Sequence, residues 1–175
     1  MSVELIIGPM YSGKSTELIR RCKRRMSIGL SVLVINHSLD TRYGNANKIS
    51  THDGTKLTAY VCNEINDYEM FKQYDVIAID EAQFFTDLAQ SVNILAEDME
   101  KQVIIACLSG DSNRKPWPGI DSLIAISDEI QHCKALCVFC HAPAPFSKKN
   151  KPDYKKIDIG AKDKYTSVCR KCFRI

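Results

Sequence analysis

The chain has 175 residues, of which 45% are hydrophobic and 26% charged, and its formal net charge is +3. This composition predicts one soluble globular domain of ordinary size with at most a small appendage, and the charge alone is too small to indicate nucleic-acid binding. No apolar run approaches the roughly 20 residues of a membrane helix, so we expect no membrane partner. We also expect no signal peptide and a cytoplasmic location, because an apolar run begins at once and the eight cysteines are typical of a reducing compartment.

The first predicted elements are a buried strand over residues 3–7 and a helix over residues 15–28. Between them lies a complete G-x-x-x-x-G-K-S phosphate-binding loop, which is diagnostic in this strand–loop–helix context. Its backbone N–H groups and the helix N-terminus would enclose the phosphates of a nucleoside triphosphate, with the lysine on the β and γ phosphates and the serine on Mg²⁺. The predicted triphosphate ligands are Gly8, Pro9, Met10, Tyr11, Ser12, Gly13, Lys14, Ser15 and Thr16. The basic stretch over residues 20–25 is interpreted as the solvated face of this helix.

Further strands and helices alternate along the chain, which predicts an α/β fold. The remaining strands are predicted at residues 31–36, 75–80 and 102–107, and the remaining helices at residues 67–72, 87–101 and 119–127. Because the strands are continuously apolar, we expect a parallel sheet flanked by helices, with a long polar loop over residues 36–58. We divide the chain into a P-loop α/β domain at residues 1–130 and a small cysteine-rich domain at residues 131–175.

The third strand ends in two acids, Asp80 and Glu81. Beside a phosphate loop this pattern predicts that Asp80 holds Mg²⁺ and that Glu81 faces the group that receives the phosphoryl group. If the acceptor is water the protein is an NTPase, and if it is a substrate hydroxyl the protein is a kinase. The candidate cations for the γ phosphate are Lys14, Arg42 and Arg114.

Four cysteines form two C-x-x-C pairs, and this arrangement favours a structural zinc site with a filled tetrahedral shell. The predicted ligands are Cys137, Cys140, Cys169 and Cys172. A dithiol redox pair is the alternative, and the rival ligands are His132, Cys133 and His141. A metal here would pin both ends of residues 141–168, which could then form a lid over a small flat ligand. The tetrapeptide at residues 150–153 matches the N-K-x-D guanine motif, but it does not follow a core strand, and we attribute the match to chance.

The motifs GPMYSGKST, DTRYG, THDG, IDEAQFF, RKPW and KYTSVCRKC together resemble those of the type II thymidine kinases, the cellular and poxviral group. This resemblance extends along nearly the whole chain. It implies ATP-dependent transfer of the γ phosphate to the 5′-hydroxyl of thymidine or deoxyuridine, a zinc domain carrying a lasso loop, and a homotetramer. It also implies that Glu81 is the catalytic base, that Asp80 and Ser15 contact Mg²⁺, and that Lys14 and Arg42 are catalytic cations.

The same resemblance implies a nucleoside site formed by the phosphate domain and the lasso. Its predicted residues are Met10, Phe84, Leu108, Trp117, Phe146, Ser147, Lys156, Ile157, Asp158, Ile159, Gly160 and Tyr165. Ser112 stands where the family has an aromatic residue and Trp117 where it has phenylalanine. A deoxynucleoside kinase of altered base specificity is therefore one alternative. The other is a zinc-ribbon NTPase that binds nucleic acid through the lysine-rich tail, which we consider weaker.

Overall fold

The computed structural model of the chain describes residues 1–40, 48–50, 56–150 and 164–174. The strands of these segments, in chain order, are β1 (Ser2–Gly8), β2 (Val32–His37), β3 (Lys48–Ser50), β4 (Lys56–Thr58), β5 (Tyr60–Cys62), β6 (Val76–Asp80), β7 (Gln102–Leu108), β8 (Glu129–His132), β9 (Ala135–Leu136), β10 (Pro143–Ala144), β11 (Phe146–Lys149) and β12 (Tyr165–Val168). The α-helices are α1 (Lys14–Met26), α2 (Tyr68–Phe71), α3 (Leu88–Asn93), α4 (Ile120–Ile126) and α5 (Arg170–Phe173).

Six strands form one parallel sheet in the order β5-β2-β6-β7-β1-β8. The central strand β6 is buried at all five positions, as expected for a parallel strand covered on both faces. Helix α1 packs on one face, while α3 and α4 pack on the other. The predicted parallel sheet flanked by helices is confirmed.

The structure departs from the predicted elements mainly at the sheet edges and in one helix. Strands β5 and β8 were not predicted, because they are short and partly exposed and lack the apolar run of the central strands. The helix predicted over residues 87–101 is α-helical only as α3 and continues as a π-helical turn, Ile94–Asp98. The segment predicted as a long loop contains the antiparallel pair β3 and β4.

The interpretation of the basic stretch of α1 as a solvated face is correct for the exposed Arg20, Lys23 and Arg24 but wrong for Arg21. Arg21 is only 5% exposed, and its guanidinium pairs with Glu4 of β1 at 2.6 Å, Glu17 at 2.9 Å and Glu129 of β8 at 2.7 Å. Arg25 also pairs with Glu4. These ion pairs attach α1 to the edge of the sheet, so the charges have a structural function.

The C-terminal part consists of two small antiparallel pairs, β9 with β10 and β11 with β12, followed by α5. Its buried centre is small, and the members are Ala135, Cys137, Ala144, Val168 and Cys172. Strand β8, which belongs to the main sheet, ends at His132, so the sheet extends two residues past the predicted boundary at residue 130. The division of the chain into two domains stays a prediction. Within the described residues, no helix has the length and apolar character needed to cross a membrane.

Candidate active site

The phosphate loop begins where β1 ends, and its glycines are required by its shape. A Cβ atom on Gly8 would lie 2.6 Å from the carbonyl oxygen of Cys133, so only glycine fits where the two segments meet. Gly13 has a φ of 81°, a left-handed conformation that glycine adopts without strain. It precedes the first residue of α1, and its carbonyl accepts the Glu17 N–H at 2.9 Å. The loop therefore leads directly into a helix N-terminus.

Lys14 is directed back into this loop. It is the first residue of α1 and is buried, and its Nζ donates to the carbonyl oxygen of Pro9 at 2.9 Å. The Ser12 hydroxyl donates to the same carbonyl at 2.8 Å. Ser15 and Thr16 follow in the first turn of α1. The predicted triphosphate ligands thus form one compact loop around a buried ammonium group.

The two predicted acids lie at the carboxyl end of β6. Asp80 is its last residue, and Glu81 follows with a φ of 49°, an uncommon left-handed conformation for glutamate. Both side chains are buried. Burial raises the pKa of Cys107 in β7 to about 12, and the nearby Lys14 lowers it while Glu81 and Asp80 raise it. Because β7 lies between β1 and β6 as a parallel neighbour of both, the phosphate loop and the two acids occupy the same carboxyl end of the sheet.

Gln83, which the sequence analysis did not single out, bridges the second acid and β7. It lies in a 3₁₀ turn, Ala82–Phe84, and is 5% exposed. Its Nε2 donates to Glu81 Oε2 at 2.6 Å, and its Oε1 accepts the Leu108 N–H at 3.0 Å. The residue is part of the motif IDEAQFF, but no local signal indicated that its side chain turns inward.

Three residues predicted to form the wall of the base pocket belong to one apolar cluster. The rings of Phe84 and Trp117 lie 6.0 Å apart in an edge-to-face arrangement, and Leu108 packs in the same cluster. The ring of His37, which was not predicted, lies 5.8 Å from that of Phe84 at an interplanar angle of 51°. Burial lowers the pKa of His37, and its Nδ1 accepts the Leu39 N–H at 3.1 Å. The Trp117 indole N–H is buried and has no hydrogen-bond partner among the described residues.

The C-terminal part contacts the phosphate loop directly. The Met10 N–H donates to the Ser147 hydroxyl at 2.9 Å, and both residues are buried. Tyr11 of the loop, which has a φ of 64°, packs against the small core of the C-terminal part. Phe146, beside Ser147, is also packed against this core, and Tyr165 begins the neighbouring strand β12.

The structure places Arg114 over two aromatic rings of the C-terminal part, at 4.4 Å from the Phe173 centroid and 5.7 Å from that of Phe146. Its predicted position beside the γ phosphate stays untested. The remaining predicted site residues lie outside the described residues: Arg42, Lys156, Ile157, Asp158, Ile159 and Gly160.

The four predicted cysteine ligands come together in one cluster, with all their sulfur atoms within 4.8 Å of one another. Two separations are 3.6 Å, for Cys140 and Cys169, and 3.7 Å, for Cys140 and Cys172. Four thiolates at about 2.3 Å from a tetrahedral zinc ion are about 3.8 Å apart, so the donor set fits zinc. Burial raises the pKa of Cys137, but backbone N–H groups outweigh it and lower the pKa to about 6.

The rival ligands do not join this cluster. Within the described part of the chain the only group of three or more metal-ligating side chains is the four cysteines. Cys133 instead lies at the phosphate loop, where its N–H donates to the Ile7 carbonyl at 2.8 Å. A filled sulfur shell could serve as a structural zinc site that closes the C-terminal part.

Comparisons with known proteins show the family of this chain. The family model described as Thymidine kinase matches residues 1–173. The chain is 40% identical over 172 residues to a thymidine kinase of myxoma virus (strain Uriarra), covering 98% of this chain and 95% of the relative. It is 38% identical over 182 residues to a thymidine kinase of fowlpox virus (98% and 96% covered). It is 42% identical over 175 residues to thymidine kinase 1 of Dictyostelium discoideum (98% and 77% covered). The chain therefore belongs to the thymidine kinase family.

Proposed function

We propose that this chain is an ATP-dependent thymidine kinase that transfers the γ phosphate of ATP to the 5′-hydroxyl of thymidine or deoxyuridine. The observation that carries the proposal is the sheet order: β1 and β6 both flank β7 as parallel strands, so the phosphate loop after β1 and the buried acids at the end of β6 lie at the same carboxyl end of the sheet, in a chain of the thymidine kinase family. The loop would provide the donor half of a kinase site, Asp80 would hold Mg²⁺, and Glu81 would face the acceptor.

The donor half would bind Mg²⁺ and ATP. Backbone N–H groups of the loop and the N-terminus of α1 favour phosphate binding, because they present partial positive charge. Lys14 would move from its Pro9 carbonyl contact to the β and γ phosphates. Ser15 and Asp80 would hold Mg²⁺ between these phosphates, as in other P-loop enzymes.

Glu81 would act on the acceptor. The nucleoside 5′-oxygen attacks the γ phosphorus, the bond from that phosphorus to the β,γ-bridging oxygen breaks, and ADP leaves with the electron pair. The hydroxyl proton passes to the Glu81 carboxylate, which suits a loose transition state in which the proton is lost late. Arg42 and Lys14 would balance the charge on the transferred group.

The nucleoside base would lie against Phe84, Leu108 and Trp117. Tyr165 and the rest of the lasso, the loop between the two cysteine pairs, would close over it. A deoxynucleoside kinase of altered base choice remains a second candidate, because the buried Trp117 N–H has no partner among the described residues. A donor at this position would favour any base that presents an acceptor there. Ser112 stands where the family has an aromatic residue, so one wall of the base pocket would be absent and a wider range of bases would fit.

The zinc ion would be structural and would hold the lasso over the nucleoside. We further propose a homotetramer and a cytoplasmic location, as implied by the family resemblance, and no nucleic-acid partner. Sedimentation velocity and metal analysis of the purified protein would test the assembly and the zinc content. The alternative NTPase would instead hydrolyse ATP without phosphorylating thymidine and would bind nucleic acid in a salt-dependent way.

The decisive experiment compares the wild-type chain with Glu81→Gln in a coupled assay with thymidine, ATP and Mg²⁺. We expect Glu81→Gln to bind ATP normally and to lose about 100-fold or more in kcat, within the range for a general base. Glu97→Gln is the matched control, because Glu97 is an exposed glutamate of the π-helical turn before β7. Near-normal turnover by Glu81→Gln would exclude the proposed base.

A panel of natural nucleosides tests the substrate. Thymidine and deoxyuridine should give the highest kcat/KM of the panel. If deoxycytidine or a purine deoxynucleoside exceeds thymidine, the base assignment is wrong while the kinase assignment remains.

A further inference from the structure

The geometry points to Gln83 as the residue that positions the proposed catalytic base, Glu81, by joining it to the end of β7. This inference rests on the proposed function, since it assigns the support of that function's base. Gln83 would not touch either substrate and would act only through the glutamate.

The orientation of the Gln83 amide follows from its two partners. The Leu108 N–H is a donor, so the amide end that faces it at 3.0 Å is the oxygen. The NH₂ group therefore faces Glu81, where a hydrogen bond of 2.6 Å joins it to Oε2. A donor at this distance suits the ionised carboxylate, because hydrogen bonds to charged acceptors are short.

The bridge links the side chain of Glu81, which lies just beyond the end of β6, to the neighbouring strand β7. Glu81 has a left-handed φ of 49° and follows the last residue of β6, so the sheet ladder does not fix its side chain. Gln83 is held by the 3₁₀ turn, in which the Phe84 N–H donates to the Glu81 carbonyl at 3.2 Å. The amide thus connects a rigid strand, β7, to the carboxylate.

Holding Oε2 restricts the rotation of the carboxylate and so limits the positions that its second oxygen can take. A free glutamate side chain has considerable rotamer entropy, and a misplacement of about 1 Å of a reacting group can cost about 100-fold in rate. Because Gln83 is buried with Glu81, water cannot easily replace the bridge without opening the turn. The bridge should therefore act on kcat rather than on substrate affinity.

Two variants separate the two ends of the bridge. Gln83→Leu removes both hydrogen bonds. Gln83→Glu keeps an oxygen for the Leu108 N–H but sets a second carboxylate against Glu81. Gln90→Leu is the control, because Gln90 is an exposed glutamine of α3.

We expect kcat for thymidine to fall about 10- to 100-fold in both Gln83 variants, with the thymidine KM and the ATP Kd within about threefold of wild type. If Gln83 has only a structural role, Gln83→Leu should lower the melting temperature and raise the thymidine KM and the ATP Kd together with the loss in kcat. In the double variant Glu81→Gln with Gln83→Leu, turnover should equal that of Glu81→Gln alone, because residues that act as a unit are not additive.

The outcomes distinguish this inference from the proposed function. If Glu81→Gln loses turnover but both Gln83 variants keep kcat within about twofold of wild type, the positioning role is wrong and the kinase mechanism stands. A further tenfold or greater loss in the double variant, about 1.4 kcal/mol in free energy, would also overturn it. If Glu81→Gln itself keeps its turnover, the proposed base fails first.

Discussion

Removal of the Ser147 hydroxyl should weaken ATP binding, although Ser147 lies 137 positions along the chain from the phosphate loop it contacts. The hydroxyl accepts the N–H of Met10 at 2.9 Å, and this hydrogen bond is buried. In Ser147→Ala the N–H would have no acceptor in its present position. The loop would have to leave a buried donor unsatisfied or to move.

The expected magnitude follows from this buried donor. An unsatisfied buried N–H costs about 1–3 kcal/mol, which corresponds to about 5- to 150-fold in an equilibrium constant. Since the hydrogen bond supports the phosphate-binding shape of the loop, we expect the Kd for ATP to rise within this range. Isothermal titration calorimetry with ATP and Mg²⁺, without nucleoside, measures this effect separately from any contact of Ser147 with thymidine.

Two control variants make the result interpretable. Ser147→Thr keeps a hydroxyl and should bind ATP like the wild type. Ser127→Ala removes a hydroxyl that donates to the Leu123 carbonyl at 2.6 Å, away from the loop, and should also bind ATP normally. An ATP Kd for Ser147→Ala within about twofold of wild type, below the about 1 kcal/mol of the weakest case, would refute the reasoning.

Three further predictions concern metal and stability. Cys169→Ser should lose bound zinc and raise the thymidine KM, as metal analysis and steady-state kinetics would show, because a structural metal site needs its complete thiolate shell. Arg21→Leu should lower the free energy of unfolding in urea by about 2–3 kcal/mol, less than for a fully buried pair, because Glu17 keeps Arg20, Glu4 keeps Arg25 and Glu129 is exposed to water. The Arg20 hydrogen bond lowers the pKa of Glu17 from 4.5 to about 2. The ionised Glu17 carboxylate therefore stabilises the fold fully above pH 4.5, and this contribution is lost as the pH falls toward 2. In Glu17→Gln the free energy of unfolding should decrease less steeply between these two pH values.

Each of these has its own control and refuting outcome. Cys62→Ser removes a thiol outside the metal cluster and should keep the zinc, whereas full zinc occupancy in Cys169→Ser would contradict the ligand assignment. Arg24→Leu, at an exposed position of α1, should cost little, and an equal loss in both arginine variants would exclude the ion-pair explanation. If the free energy of unfolding of Glu17→Gln decreases at acid pH as steeply as that of the wild type, the ion pairs of Glu17 do not control acid unfolding.

The parts of the fold that could be predicted are those with a strong local signal. The run at β6 is apolar at every position from Val76 to Ile79, and such a run predicts a central parallel strand. Strands β5 and β8 lack this signal, because edge strands are half exposed and pair on one side only. The π-helical end of the helix after Asn93 was also unpredictable, because the apolar spacing on either side of it is that of an ordinary helix.

In the candidate site, too, the features with a local sequence signal could be predicted and the others could not. The phosphate loop, the acids at the end of β6 and the paired cysteines are each defined within a few residues, and their chemistry depends on spacing that the sequence displays. The contacts between them depend on which segments meet after folding. Ser147 was predicted only to touch the nucleoside, yet the structure joins it to the phosphate loop.

By itself, the sequence determined that the chain has a phosphate loop before a helix, two acids after a buried strand and two cysteine pairs, because these are short-range patterns. Only the tertiary structure decided that Gln83 faces Glu81, that Arg21 is buried among carboxylates and that the phosphate loop rests on the C-terminal part. These are long-range choices of packing partner. A polar side chain is directed inward only when a buried donor or acceptor elsewhere in the fold can satisfy it, and a local pattern does not contain that information.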